Sequence, residues 1–269
     1  MTAGRPGPNA AAPLQSVRQH GPLRGFRPLL RKELATWTRT RSGWLQLLVW
    51  LAVLNGLMTL PLVFMRELFA TELGGTFEAA LDMFFNLAAL APSAGAVILA
   101  HGAIIGERQL GTAAWVLSKP VARSAFVLSK VVATGLGLLV TALLAPALVA
   151  YGMLSIEAGA PLPIAPFAAG VAMVALGLLW YLALTLLLGT LTSSRGVVLA
   201  VPLVSLVAGD MLIAAWGPLG YLGPWLLGRM ALLTAQGGPL LTPWPLVATA
   251  LATAAFVALA VVRFEREEF

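Results

Sequence analysis

The chain has 269 residues, of which 59% are hydrophobic and only 10% charged, and its formal net charge is +6. This composition excludes an ordinary soluble domain, in which roughly a quarter of the residues are charged. The absence of cysteine excludes disulfides and thiolate metal sites. Because the apolar runs are continuous rather than alternating with period two, they indicate membrane helices and not the strands of a membrane barrel.

Six apolar stretches are long enough to cross a bilayer as helices. The hydrocarbon layer is about 30 Å thick, so a helix that rises about 1.5 Å per residue needs roughly 20 residues to cross it. The stretches are 44–64, 83–105, 126–151, 167–191, 197–216 and 244–262. We therefore predict an all-α polytopic membrane protein with six transmembrane helices in one domain over residues 26–269, after a disordered cytoplasmic tail over residues 1–25.

Basic residues are concentrated on one side of the predicted membrane. With the N-terminus in the cytoplasm, 15 of the 17 Lys and Arg residues fall inside, and only Arg66 and Arg229 fall outside. This asymmetry is typical of an even number of spans with both termini cytoplasmic. The basic charge therefore reports topology and contact with anionic lipid, and it does not predict a nucleic-acid partner. We expect a multi-pass protein of the plasma (inner) membrane of a bacterium.

The segment before the first span is amphipathic. One face of its helical wheel is apolar and the flanks are basic, which predicts an interfacial helix lying in the headgroup plane. The apolar face consists of Phe26, Leu29, Leu30, Leu34 and Trp37. Glu33 falls inside this face, where an unpaired carboxylate is costly. We expect it either to find a cationic partner or to extend to the water boundary.

The connection between the second and third spans, GERQLGTAAWVLSKPVARS, has the pattern of a short helix. Gly111 can end the preceding helix, Thr112 can cap a new turn that runs through Leu117, and Pro120 disfavours its continuation. Exposed apolar side chains, Trp115 among them, would then face the cytoplasm. Such a patch favours a protein partner, and docking on the lipid surface is the alternative.

Catalytic motifs are missing from the sequence. There is no Gly-Lys dipeptide and hence no Walker A phosphate loop. The two histidines, His20 and His101, are too few for a His-rich metal site. We therefore predict no enzyme activity, and no cofactor or metal bound by this chain.

Three features together resemble a family of transporter subunits. They are LRKELATWTRTR before the first span, AHGAIIGERQLGTAAWVLSKPVARSAFVLSK across the second connection, and the bundle of six spans. The combination is similar to the ABC-2 type permeases, and in detail to the six-helix permease of the ABC complex that supports nitrous oxide reductase maturation. Motif identity is strongest over residues 31–34 and 106–130.

The resemblance implies a membrane-spanning permease subunit that couples ATP hydrolysis on a separate subunit to substrate export or extrusion. The implied partners are an ABC ATPase subunit, which would hold ATP and Mg, a second copy of this chain, and the lipid bilayer. An external accessory protein is a further candidate. Two alternatives stay open: an ATP-driven membrane scaffold that passes force to an external partner, and a stand-alone secondary transporter.

The resemblance also implies that the short helix after the second span is the coupling element. Lys130 matches the family's motif further along the chain. The residues assigned to coupling with the ATPase subunit are Glu107, Arg108, Gly111, Thr112, Trp115, Leu117, Pro120 and Arg123.

Asp210 lies inside the fifth apolar stretch, in the outer part of the predicted membrane. A carboxylate that faced lipid would be costly, so we expect it to face the bundle interior, a water-filled cavity or a cation. Arg229 is the nearest cation by depth. We predict that these two residues line the outer end of a pathway or hold a gate; a structural hydrogen bond of Asp210 is the alternative. The Gly- and Pro-broken segment 217–243 predicts a partly inserted element rather than a seventh span.

The second span is rich in small residues and contains a GxxxG pair, Gly102 and Gly106. Such pairs let helix backbones approach closely. We therefore expect this span to pack either inside the bundle or against a second copy of the chain.

Overall fold

The computed structural model describes residues 21, 23–72, 75–109, 121–240 and 242–266. All regular elements in those ranges are helical. Five helices are long and apolar enough to cross a membrane: Arg41–Phe64, Thr76–Gly106, Arg123–Glu157, Ile164–Leu191 and Trp244–Glu265. The predicted all-α class with several membrane-spanning helices is therefore confirmed. Most of the predicted tail, residues 1–20 and 22, lies outside the described residues.

The first half of the chain forms two long helices, a helix that precedes them and short connecting helices. In chain order these are α1 (Phe26–Thr38), α2 (Arg41–Phe64), α3 (Arg66–Glu72), α4 (Thr76–Ala100) and α5 (Gly102–Gln109). α2 contains two π-helical turns, Leu51–Asn55 and Leu60–Phe64. His101 separates α4 from α5, and its ring nitrogen Nδ1 lies 2.6 Å from the Ile98 carbonyl oxygen.

The second half contributes three long helices and a group of short ones. In chain order these are α6 (Arg123–Glu157), α7 (Ile164–Leu191), α8 (Arg195–Val207), α9 (Gly209–Ala215), α10 (Leu227–Ala235) and α11 (Trp244–Glu265). Two 3₁₀ turns, Gly217–Leu222 and Pro224–Leu226, connect α9 to α10. α6 includes a π-helical stretch, Leu139–Leu144.

Three hydrophobic clusters fill the bundle: one contains Val97, Trp180 and Tyr181, and the other two lie toward opposite ends. One of these two contains Phe126 at the start of α6 and Phe264 at the end of α11, whose rings stack 5.2 Å apart. We call this end of the bundle the basic end, because Arg123, Arg195 and Arg263 lie there. The other cluster is built around Phe84, Phe85 and Phe167 near the opposite end, with ring centroids 5.3–6.0 Å apart.

The fifth apolar stretch, predicted as one helix over residues 197–216, is broken in two. α8 ends at Val207 and α9 begins at Gly209. α8 starts at the basic end, whereas Ala231 of α10 packs in the cluster of the opposite end. α8 alone, with 13 residues, is too short to cross a bilayer.

The segment after α9 folds back into the bundle. α10 has nine residues, about 13 Å of helix, which is too short to cross a bilayer. It packs against α7 so closely that a Cβ atom on Gly170 would lie 2.7 Å from the Ala231 carbonyl oxygen. Leu227 and Ala231 are buried. Among residues 217–240, no helix is long enough for a seventh span, and partial insertion of this segment stays a prediction.

Candidate functional site

A cavity of about 520 Å³ lies between α4, α7, α8 and the segment that carries α10. It occupies the half of the bundle away from the basic end, and we call it the polar cavity. Most of its lining is apolar or glycine. The polar side chains that line it are Asp82, Asn86, Ser93, Tyr181, Trp225 and Arg229. Apolar walls with a few polar groups are typical of sites for small ligands.

α4 supplies most of the polar wall. Asp82, Asn86 and Ser93 are spaced by four and seven residues, which places them on one face of a helix. The Asn86 side-chain amide donates a hydrogen bond to the Asp82 main-chain carbonyl at 3.0 Å. From residue 82 to residue 93 the helix rises about 16 Å. These three side chains form a polar stripe, which runs from the exposed carboxylate of Asp82 near the helix N-terminus to the buried hydroxyl group of Ser93.

Tyr181 brings to this cavity a hydroxyl group without a hydrogen-bond partner among the described residues. Its side chain is only 2% exposed. The polar neighbours of the hydroxyl are Ser205 and Trp225. The Trp225 indole N–H, however, donates to the Ser205 main-chain carbonyl at 2.9 Å. Because a buried hydroxyl without a partner costs about 1–3 kcal/mol, this group favours a ligand or a water molecule in the cavity.

The break between α8 and α9 forms another wall of the cavity. A carbonyl near the end of α8, that of Ser205, accepts the Trp225 indole N–H instead of continuing the helix. Gly209 lies against the same indole, and a Cβ atom on it would collide with Trp225. The break is therefore stabilised by a side chain that comes from a later part of the chain.

Arg229 lines the polar cavity and is exposed. The other basic residue predicted on the outer side, Arg66, has its Nη2 atom 2.9 Å from Glu157 Oε1. Arg229, by contrast, has no ion-pair partner within the part of the chain that the structure describes. Arg229 is therefore available to a ligand, whereas Arg66 has a structural role.

Asp210 is the second residue of α9, and its neighbour Gly209 lines the cavity together with Arg229. The structure thus brings the backbone next to Asp210 and the Arg229 side chain to one cavity. The Asp210 side chain lies outside the described part of the chain. Its predicted role at the pathway or gate therefore stays a prediction.

A second polar pocket, of about 420 Å³, lies at the basic end between α1, α2, α5 and α6. Lys130 Nζ lies 3.3 Å from Glu33 Oε1 across it. The Lys130 side chain is 5% exposed and that of Glu33 is 22% exposed. Lys130 Nζ also lies 5.1 Å from the centroid of the Phe126 ring. Of the two alternatives for Glu33, the structure shows the cationic partner, and that partner is Lys130.

The residues that follow the predicted coupling segment are hydrogen-bonded at the basic end. The Ala122 main-chain N–H donates to the Arg24 carbonyl at 2.9 Å. One residue further, Arg123 Nη1 donates to the Glu265 carbonyl, also at 2.9 Å. The chain that enters α6 is thus joined both to the start of α1 and to the end of α11.

For the other residues assigned to coupling, the structure describes at most the backbone. Glu107 and Arg108 belong to the last turn of α5, but their side chains lie outside the described part. The remaining assigned positions lie outside the described residues altogether: Gly111, Thr112, Trp115, Leu117 and Pro120. Among the described residues, no group of three or more His, Asp or Glu side chains is placed to hold a metal ion.

One family of known sequences matches most of the chain. Its description is "Protein of unknown function (DUF2705)", and the match covers residues 47–269. The chain belongs to the DUF2705 family. No curated protein matches it. The matched residues include Lys130 and all residues that line the polar cavity. They do not include α1.

Sequence reasoning missed several residues of the polar cavity in this DUF2705 protein. Asp82 is one of them, because the predicted second span begins at residue 83, whereas α4 begins at Thr76. The signal that could have found the stripe is the spacing of Asp82, Asn86 and Ser93. Tyr181 and Trp225 carry no comparable signal, because their roles depend on contacts between distant parts of the chain.

Proposed function

We propose that this DUF2705 protein is the membrane-spanning permease subunit of an ABC transporter. A separate ATPase subunit binds ATP and Mg, and its movements drive export or extrusion of a substrate. The observation that carries the proposal is the attachment of the predicted coupling segment. Ala122 is hydrogen-bonded to Arg24, and Lys130 is ion-paired with Glu33. A displacement of this segment by an ATPase would therefore be transmitted to α1 and to α6.

The proposed topology places the basic end in the cytoplasm, as the distribution of Lys and Arg favours. α8 and α9 then form the sixth crossing, because 21 residues from 195 to 215 would span about 30 Å of membrane. Both termini become cytoplasmic, and α1 becomes a helix at the inner surface. The polar cavity opens toward the outside.

The polar cavity favours transport over a purely mechanical scaffold, which would need only a docking surface. In this conformation the cavity does not continue to the cytoplasm. Ala96 and Val97 of α4, each 0% exposed, lie between the cavity and the pocket at the basic end. Opening this packed layer while the outer side closes would give alternating access.

The charges of the bundle weigh against a stand-alone secondary transporter. Ion-coupled carriers use ionisable residues inside the membrane as relays. Among the described residues Lys130 is the one charged side chain that is buried, and it lies near the basic end. An external energy source accounts better for a bundle with so few buried charges.

We propose a second copy of the chain as a partner in a homodimer, as the family resemblance implies. Gly102 and Gly106 line the pocket that holds Glu33 and Lys130, and a Cβ atom on either glycine would meet no described atom within 4 Å. This GxxxG pair therefore faces the inside of the single chain, and the helices that form the dimer contact are not assigned.

Purification of the full chain from its native membranes tests this proposal. We expect a subunit with Walker A and Walker B motifs to co-purify in equal amount, and the complex to hydrolyse ATP in a vanadate-sensitive manner. Mass spectrometry and a phosphate-release assay measure both results. A chain that purifies without any ATPase subunit at its native expression level, with no ATPase gene beside its own, would contradict the proposal.

A further inference from the structure

We propose that the polar cavity binds a zwitterion, namely a molecule or headgroup that carries a protonated amine together with a phosphate or a carboxylate. This inference deepens the proposed function and rests on it only in treating the cavity as part of a transport path. Binding itself can be measured on the chain without an ATPase.

The charged lining of the cavity is the first reason. Asp82 and Arg229 are the charged side chains among its described lining residues, and their charges are opposite. Neither has an ion-pair partner among the residues that the structure describes. A purely anionic ligand would be repelled by Asp82, and a purely cationic one by Arg229. A zwitterion can pair with both at once.

The chemistry of the two side chains assigns the two halves of the ligand. A guanidinium group matches the geometry of phosphate and carboxylate, with which it forms two parallel hydrogen bonds. The Asp82 carboxylate accepts hydrogen bonds from an ammonium group. Arg229 therefore holds the anionic group of the ligand, and Asp82 holds its amine.

The hydroxyl group of Tyr181 is the second, independent reason. It is buried and lines the cavity, and none of the described residues completes a hydrogen bond with it. Leu90, Val174 and Leu206 are among the apolar residues that line the rest of the cavity. The ligand should therefore have, beside its two charges, a polar group such as a hydroxyl or an ester that reaches Tyr181.

Two sources can supply such a ligand. One is a free solute, and the other is the headgroup of a zwitterionic phospholipid in the surrounding membrane. The cavity volume of about 520 Å³ lies within the range of ordinary small-ligand sites. Both sources present the same pair of charges, and the experiment distinguishes them.

The test uses the purified full chain in nanodiscs of phosphatidylglycerol, with sn-glycero-3-phosphoethanolamine as the soluble zwitterion. Ethanolamine and sn-glycerol 3-phosphate, which carry one charge each, are the matched probes. We expect calorimetry to show that the zwitterion binds about ten-fold or more tightly than either half, because two charge-assisted hydrogen-bonded contacts form. A second set of nanodiscs contains phosphatidylethanolamine, and thermal unfolding reports binding of the intact lipid.

The variants Asp82→Asn and Arg229→Gln should each weaken binding of the zwitterion about ten-fold. Arg66→Gln is the matched control, because Arg66 lies at the same end but is paired with Glu157 outside the cavity. Tyr181→Phe should weaken binding without lowering Tm, since it removes a hydroxyl that has no partner in the described structure. A merely structural Tyr181 would give the reverse, a lower Tm with unchanged affinity.

Binding of the soluble zwitterion in phosphatidylglycerol discs would identify a free solute as the source. Stabilisation by phosphatidylethanolamine alone, lost in Asp82→Asn and Arg229→Gln, would identify a lipid headgroup. The inference is overturned if neither source binds, if either half binds as tightly as the whole, or if both charge variants bind like wild type. Such a failure leaves co-purification of an ATPase unaffected, so it can be told apart from failure of the proposed function.

Discussion

Replacing Trp115 by Asp is expected to lower the affinity of the chain for its ATPase subunit by about thirty-fold or more. Truncation of a buried interface aromatic commonly costs about 2 kcal/mol or more, and about 1.4 kcal/mol corresponds to a factor of ten. A carboxylate inside an apolar contact adds a desolvation cost. Insertion into the membrane should be unaffected, because Trp115 lies outside all the predicted spans. Titration of the purified ATPase subunit onto the chain in nanodiscs measures the affinity.

Trp115→Phe is the matched variant, because it keeps the aromatic surface and should keep most of the affinity. Glu107→Arg, which reverses a charge at the start of the same connection, should also weaken the complex. Wild-type affinity and wild-type ATP hydrolysis in both Trp115→Asp and Glu107→Arg would remove this segment from the mechanism.

Glu33→Gln is expected to lower the stability of the bundle by about 2–4 kcal/mol. Lys130 is almost completely buried, and its ammonium group faces the Glu33 carboxylate at 3.3 Å. Removal of one partner of a buried ion pair typically costs about 3–5 kcal/mol, because the remaining charge loses that pairing. Because the Glu33 side chain is 22% exposed, water can offset part of this loss. Thermal unfolding in detergent measures the change in Tm.

A double variant separates the ion pair from the general packing of α1. Replacing Glu33 by Leu and Lys130 by Met together should restore most of the stability, because an apolar pair can substitute for a buried ion pair. Arg31→Gln, on the exposed surface of α1, is the control and should change stability by less than about 0.5 kcal/mol. Equal losses in Glu33→Gln and Arg31→Gln would mean that the contact with Lys130 contributes nothing to the fold.

The sequence predicts the long helices well because their signal is local. A run of about 20 apolar residues is sufficient to indicate a span, and each of the five long helices contains one of the predicted stretches. The interfacial pattern of α1 is local in the same way. Its Glu33 could be singled out because one carboxylate interrupted an apolar face, although nothing in the pattern identified Lys130 as the partner.

The break in the fifth apolar stretch could not be predicted from local hydropathy. Residues 197–216 are almost continuously apolar, yet the chain breaks after Val207. The cause lies 20 residues after Ser205, where the indole of Trp225 binds the Ser205 carbonyl and packs on Gly209. Contacts between such distant residues leave no periodicity in the sequence. The same holds for Tyr181, whose position in the cavity is set by its neighbours on other helices.

Of the two charged residues that line the polar cavity, the sequence predicts one. The sequence predicts Arg229 at a pathway because it is the cation nearest in depth to Asp210, and Arg229 does line the cavity. The sequence does not predict Asp82 in the cavity, because the apolar stretch of the second span begins one residue later, at position 83. Hydropathy places the end of a span where apolar residues end, whereas the helix itself continues for two further turns, to Thr76.

The decisive measurement is the reactivity of a single cysteine in the polar cavity with and without ATP. The chain has no native cysteine, so Leu90→Cys in the cavity wall and Ala160→Cys in an exposed turn each give one labelling site. Both are placed in the complex with the ATPase subunit in nanodiscs and labelled with a membrane-impermeant maleimide. We expect ATP with vanadate to change the labelling rate at position 90 several-fold and to leave the rate at position 160 unchanged. Equal rates at position 90 with and without ATP, in a complex that hydrolyses ATP, would contradict transport through this cavity driven by the ATPase.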